Sequence, residues 1–266
     1  MATIFASIIA IYRKELSGYF VSPLAMAIAG LFWLIAGFFF TTILLSGTGI
    51  LAQAANRAQL GITDPPLDVP YQFLQFFLGT ISSLSLFILP MLSMGLYAEE
   101  RKLGTLELLA TSPITNWAVA TGKLLGVVTF YTVAIAPLLL YEAIAFTGSE
   151  PPMPATLPLM GHLALILLAA SVLSLGMFVS SLTDSTILAA VLTFALVLFL
   201  WVTSAIGQTI QGPIGEAISH LSLLEHYNQL TQGVLDTGSI ILFLSYIFLG
   251  IFLTAQSIEA LRYQRS

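Results

Sequence analysis

Long apolar runs separated by brief polar punctuation set the rhythm of this chain. Charged residues are absent from 16–56, 69–98, 124–141, 151–183, 185–215 and 237–258, and no other charge-free stretch reaches 18 residues. A helix of about 18–20 apolar residues crosses the hydrocarbon core of a bilayer. The runs are apolar on all sides and lack the period-two alternation of a barrel strand, so helices are the spanning element they predict. Six transmembrane helices are expected near 24–46, 71–96, 118–143, 158–182, 187–207 and 239–258. The fold class that follows is all-α, a polytopic membrane protein whose residues 1–266 form a single transmembrane domain.

The first 22 residues follow a different pattern. Ile4, Ile8, Ile11, Tyr12 and Leu16 fall near helical spacing, and Arg13-Lys14-Glu15 comes late in the segment. A secretory signal places its basic residues before its apolar run, so the order is wrong for one. An amphipathic helix lying on the cytoplasmic membrane surface is expected, with an incidental cytoplasmic tail as the alternative. Ser22-Pro23 ends this segment and starts the first span.

Composition agrees with a lipid solvent. Of 266 residues, 58% are hydrophobic and only 8% charged, and the mean hydropathy is +0.97. A soluble domain carries about 25% charge, so a lone soluble globule is excluded, as is a disordered chain. The net charge of −5 excludes a basic nucleic-acid binder. There is no cysteine, which rules out disulfides, thiol catalysis and zinc–thiolate sites.

The signs of the charges orient the spans. With six spans, Arg13, Lys14, Arg101, Lys102, Lys123, Arg262 and Arg265 share one face, and of the eight basic residues only Arg57 lies on the other. The positive-inside rule makes the first face cytoplasmic, with both termini inside. Asp64, Asp68, Glu150, Glu216, Glu225 and Asp236 fall on the outer face. Lys123 is expected to snorkel from the start of span three back to the cytoplasmic water.

One cytoplasmic segment is patterned beyond a connector. Residues 97–117 read YAEERKLGTLELLATSPITNW and hold Glu99, Glu100, Arg101, Lys102 and Glu107. Gly104 interrupts a continuous helix, and Thr105 can cap a new short one. On that helix Leu106, Leu109 and Ala110 share a face. Ser112-Pro113 ends it, Thr115 and Asn116 can cap span three, and Trp117 sits where an interfacial aromatic belongs. Such an element suits docking into a groove on a soluble partner. A solvated loop that only satisfies the positive-inside rule is the alternative.

The run E-E-R-K-x-G-T-L-E-L-L-x-T-S-P-I from Glu99, followed by Trp117 and Gly122-Lys123, resembles the loop of ABC-2 type exporter permeases. Within them it is most similar to the branch of gliding-motility and nitrous-oxide-accessory permeases. R-K-E-L-x-x-Y-F-x-S-P-L-A from Arg13 and S-L-L-E-H-Y-N-Q-L-T-Q-G-V-L-D from Ser222 resemble the N-terminal helix and last external loop of the same branch. Ala110 departs from the pattern, where leucine is expected. The resemblance implies that residues 104–112 form a coupling helix seated on a separate ATP-binding subunit. Glu99, Glu100, Arg101, Lys102, Gly104, Thr105, Leu106, Glu107 and Leu109 would make up the partner-binding stretch. ATP and magnesium would belong to that partner, and a second permease copy or paralogue would complete the membrane portion. The expected function is an ATP-driven exporter subunit, with a non-transporting membrane anchor for a soluble ATPase as the alternative.

Rival chemistries find little support. No G-x-x-x-x-G-K-[ST] loop occurs; Gly122-Lys123-Leu124 lacks the first glycine and the hydroxyl. Intramembrane catalysis would need polar residues within the spans. The candidates are His162, expected at the external interface among headgroups or water, Glu142 at the outer end of span three, and Ser82, Ser83, Ser85, Ser171 and Ser174. The serines read as packing residues, as does Gly122-x-x-x-Gly126. The runs are empty of charge at mid-membrane, unlike those of ion-coupled transporters. Glu216, His220, Glu225 and His226 could be drawn as a metal cluster. An amphipathic re-entrant or interfacial helix before span six, with Leu221, Leu224 and Tyr227 facing lipid, is the preferred reading. No catalytic, cofactor-binding or metal residue is expected in this chain.

Overall fold

The computed structural model describes residues 2–62, 67–106, 114–147, 149, 152–210, 212, 215 and 220–263. Among them every regular element is a helix. In chain order these are α1 (Ala2–Val21), α2 (Pro23–Leu45), α3 (Ile50–Gln59), α4 (Val69–Ser93), α5 (Gly95–Lys102), α6 (Asn116–Ile135), α7 (Leu138–Phe146), α8 (Thr156–Ser181), α9 (Thr186–Thr209), α10 (Leu223–Thr231) and α11 (Thr237–Tyr263). Six stretches are long and apolar enough to cross a membrane: Pro23–Gln59, Val69–Lys102, Asn116–Phe146, Thr156–Ser181, Thr186–Thr203 and Thr237–Ala260. They match the six expected spans.

Helix starts follow side-chain chemistry. Ser22 accepts from the Ala25 amide ahead of Pro23, and Asp68 accepts from Tyr71. Thr115, Ser185 and Ser222 cap α6, α9 and α10 in the same way. Each supplies an acceptor to an amide that the first helical turn leaves unpaired.

α8 is the axis of the bundle. Its spanning segment is 78% buried, against 22% for α9 and 28% for α11. Small residues permit this. A Cβ on Gly176 would lie 2.2 Å from Ser93 Oγ, and one on Gly250 would lie 2.5 Å from the Ser174 carbonyl carbon. Ser171 and Ser174 donate to the Phe243 and Tyr246 carbonyls at 3.2 Å each, joining α8 to α11. The buried serines thus act in packing, with Ser82 and Ser85 also turned inward.

Span two breaks between α4 and α5, four residues after Pro90. The break leaves the Tyr97 and Ala98 amides without helical acceptors. Ser180 of α8 accepts from both, at 3.1 and 3.0 Å, and donates to the Met94 carbonyl at 2.7 Å. One hydroxyl therefore repairs the interruption, as buried backbone groups in an apolar medium require. Span three breaks similarly around Pro137, between α6 and α7.

α1 forms where an amphipathic helix is expected. Its stripe of Ile8, Ile11, Tyr12 and Leu16 is half-buried, and Ile11 and Leu16 pack on the core beside α6. Phe5, Ile9, Phe20 and Val21 remain exposed for lipid.

Candidate functional site

Gly122 and Gly126 seat α1 against α6. A Cβ at Gly122 would lie 2.9 Å from Ile11 Cβ, and one at Gly126 would lie 2.8 Å from Glu15 Cβ. Only glycine at both positions lets the two backbones approach this closely. The approach brings Glu15 of α1 beside Lys123, which lies between the two glycines.

A compact charge cluster results. Lys123 Nζ is 2.8 Å from Glu15 Oε1 and 3.0 Å from Glu100 Oε1, so one ammonium ties α1, α5 and α6 together. Lys14 Nζ stands 3.3 Å from Glu100 and 3.6 Å from Glu15. The Lys123 side chain is 3% exposed and that of Lys14 is 69% exposed. Lys123 does not snorkel to water as expected. Its ammonium meets two carboxylates inside the fold and lies 5.0 Å from the centre of the Tyr97 ring. Paired acids and an aromatic face take the place of water around the ammonium. Burial pulls the Lys14 pKa down, but Glu100 and Glu15 outweigh it, and the value rises above the ordinary 10.5. Burial, with Glu15 and Glu99 nearby, pushes the Tyr19 phenol up, and its hydroxyl donates to the Leu92 carbonyl at 2.6 Å.

α5 ends in a defined stop. Gly104 has φ +71; its amide donates to the Arg101 carbonyl and the Thr105 amide to that of Glu100, at 3.1 and 2.9 Å. This is the Schellman arrangement, which glycine adopts without a Cβ penalty. Arg101 Nη1 donates to the Ser181 carbonyl at 2.8 Å, so the end of α5 is also tied to the end of α8.

The expected partner-binding residues thus divide. Glu100 and Arg101 are anchored in the fold, while Glu99, Lys102, Gly104 and Thr105 are exposed. Leu106, one of the three residues expected to share an apolar face with Leu109 and Ala110, is 5% exposed and packs into the core. Leu103, 73% exposed, is the outward apolar residue among those described between Arg101 and Leu106. Glu107 and Leu109, with Ala110, Ser112 and Pro113, lie outside the described residues. The anchoring role of Lys14, Glu15, Lys123, Tyr97 and Ser180 was not foreseen. A lysine set in Gly122-Lys123-x-x-Gly126 was the available signal, because a cation between two close-packing positions needs an acid from the helix that packs there. The cluster holds no nucleophile–base pair. What it can do is mechanical: a force on the end of α5 reaches α1, α6 and α8 through short polar contacts.

At the opposite end, Glu142 is 1% and His162 is 6% exposed. His162 does not meet headgroups or water. Its Nδ1 lies 3.0 Å from the Pro158 carbonyl of its own helix and 3.6 Å from Glu142 Oε2 of α7. Tyr227 is also inward, fully buried, with its hydroxyl donating to the Leu78 carbonyl at 2.9 Å, so it does not face lipid. A buried phenol needs such a partner, and α10 turns it toward one. His226 contacts Ser239 Oγ through Nδ1 at 2.8 Å and the His220 carbonyl through Nε2 at 3.1 Å. Glu216 lies outside the described residues, and among those described no group of three His, Asp or Glu residues could hold a metal ion.

The sequence matches the family described as ABC-2 family transporter protein over residues 9–257. No curated protein matches the chain.

Proposed function

The chain belongs to the ABC-2 transporter family, and on that premise we propose that it is the membrane-spanning subunit of an ATP-driven exporter. It is a multi-pass membrane protein. In the proposed machine ATP and magnesium sit on a separate nucleotide-binding subunit, and this chain contributes no catalytic residue. The face carrying α1 and α5 is cytoplasmic, in keeping with its seven basic residues. A second copy or a paralogue packs in the membrane against spans that this chain leaves largely uncovered. α9 and α11, at 22% and 28% burial, offer such faces.

The observation that carries the coupling reading is the bracing of α5. Glu100 and Arg101 tie the helix that enters the 97–117 segment to three others, α1, α6 and α8. A partner that pushes on this segment moves packed helices as bodies, which is how small displacements become switching transitions. A loosely tethered loop would absorb the same push.

The test is reconstitution of the chain with a nucleotide-binding subunit in proteoliposomes. Vectorial movement of solute or lipid with ATP hydrolysis is the expected result. Hydrolysis with no movement would favour the membrane-anchor role instead. Leu103→Glu/Gly104→Arg, at exposed positions, should weaken capture of the nucleotide-binding subunit while membrane insertion stays normal. Unchanged capture would remove the docking assignment.

A further inference from the structure

A cavity of about 500 Å³ opens between α1, the start of α2 and the α4–α5 break. Its volume falls in the range of small-molecule sites. One end is polar, lined by Lys14, Glu15, Glu99, Glu100 and Lys123, and the other is apolar, lined by Leu24, Ile28, Met91, Leu92 and Leu96. Glu100 and Met91 are nine residues apart along span two, a rise of about 13 Å. The polar interfacial layer is roughly 5–8 Å thick per leaflet, so the cavity runs from headgroup depth into the hydrocarbon. Leu24 and Met91, 49% and 42% exposed, leave the apolar end open toward acyl chains.

The polar end has a definite charge character. Three carboxylates line it against two ammonium groups. Lys123 and Lys14 are engaged with Glu15 and with Oε1 of Glu100. Glu100 Oε2 is buried without a hydrogen-bond partner, and Glu99 has no ion-pair partner among the described residues. Glu100 Oε2 is closed off from the cavity, so the carboxylate left for a ligand cation is that of Glu99, which is exposed. The surplus negative charge disfavours an anionic amphiphile. Lys14, mostly exposed at the rim, can still meet a phosphate.

We propose that this cavity is a binding site for a phospholipid with a primary ammonium headgroup. The ammonium donates to the Glu99 carboxylate, the phosphate faces Lys14, and an acyl chain follows Leu24, Ile28 and Met91. A quaternary choline head offers no N–H donor and leaves the Glu99 carboxylate without a hydrogen bond, and sites built to receive hydrogen bonds reject such analogues. Gly18 of α1 lines the cavity, and a Cβ there would meet nothing within 4 Å, so a side chain at this position enters open space. The inference rests on the membrane-spanning architecture and not on the direction or energy source of transport.

The experiment is native mass spectrometry of the purified full chain after equilibration with equal amounts of dioleoyl phosphatidylethanolamine, phosphatidylcholine and phosphatidylglycerol. The expected result is one retained phosphatidylethanolamine, favoured over the other two about tenfold, the scale of one charged hydrogen bond. Gly18→Phe, which projects a ring into the cavity, should remove the retained lipid, while Gly18→Ala should keep it. Glu99→Gln lies outside the ion-pair cluster and should collapse the preference over phosphatidylcholine. Equal retention of all three lipids, a preference for phosphatidylglycerol, or retention unaltered by Gly18→Phe would overturn the proposal. The selectivity of the unaltered chain decides the matter even if a variant fails to fold. Neither ATP nor a partner enters the assay, so its failure leaves the exporter reading standing, and a failure of transport leaves the lipid site standing.

Discussion

Replacing Lys123 by methionine removes the one ammonium shared by α1, α5 and α6. Its contacts at 2.8 and 3.0 Å each correspond to about 5–6 kcal/mol of attraction at an effective dielectric of about 20. Desolvating the three groups offsets most of that, so the attraction is not the expected loss. The relevant quantity is what remains after the change: Glu15 and Glu100, each 14% exposed, facing one another with only Lys14 nearby. Breaking a buried pair by removing one partner costs about 3–5 kcal/mol. The remaining Lys14 contact places Lys123→Met near the lower end, about 3 kcal/mol. Lys14→Met should cost under about 1 kcal/mol, since that side chain is 69% exposed. Thermal unfolding of the detergent-solubilised chain should show a melting point lowered on the order of 10 °C for Lys123→Met and little change for Lys14→Met. The triple variant Lys123→Met/Glu15→Gln/Glu100→Gln should recover much of the loss, because neutralising a whole buried cluster is often nearly neutral. If the triple variant is as unstable as Lys123→Met, lost packing and not unpaired charge accounts for the effect, and the electrostatic argument is wrong.

Gly126→Leu should lift α1 from α6, because its Cβ would stand 2.8 Å from that of Glu15. A loss of about 1–3 kcal/mol is expected from overpacking, and a single cysteine placed at Ile11 should become reactive to a thiol reagent in this otherwise cysteine-free chain. Ser180→Ala leaves the Tyr97 and Ala98 amides unpaired and should cost about 1–3 kcal/mol, read as earlier proteolysis near the α4–α5 break. Lys14 has a folded-state pKa above its ordinary 10.5, so its contribution is complete below that value and is lost as pH rises through the raised one. Stability of the unaltered chain should therefore fall more steeply above pH 10.5 than that of Lys14→Gln, which has no such titration. Glu142→Gln keeps the shape of a side chain that is 1% exposed and should hold the melting point within a few degrees. Glu142→Lys should abolish folded protein, as size-exclusion profiles would report.

The exclusion of charge from six long runs determined the number, position and helical nature of the spans. Unsatisfied backbone and bare charges are so costly in hydrocarbon that only helices and closed barrels can span it, and runs without period-two alternation leave the helix. Local chemistry was equally readable at Ser22-Pro23, Thr115 and Gly104, where caps and stops act through neighbours only a few residues away. What the sequence by itself could not decide was how polar side chains are satisfied across distance. Lys123 reads as a residue that would reach water, because its acids lie 23 and 108 positions away and only the crossing of α1 over Gly122 and Gly126 brings them in. His162 and Tyr227 read as interfacial for the same reason, since their partners on α6–α7 and α4 become adjacent only when the bundle closes. Hydrophobic runs announce themselves one helix at a time, but a buried ion pair belongs to two or three helices at once. Its existence is therefore settled by packing, and so is the cavity that the same packing leaves open beside it.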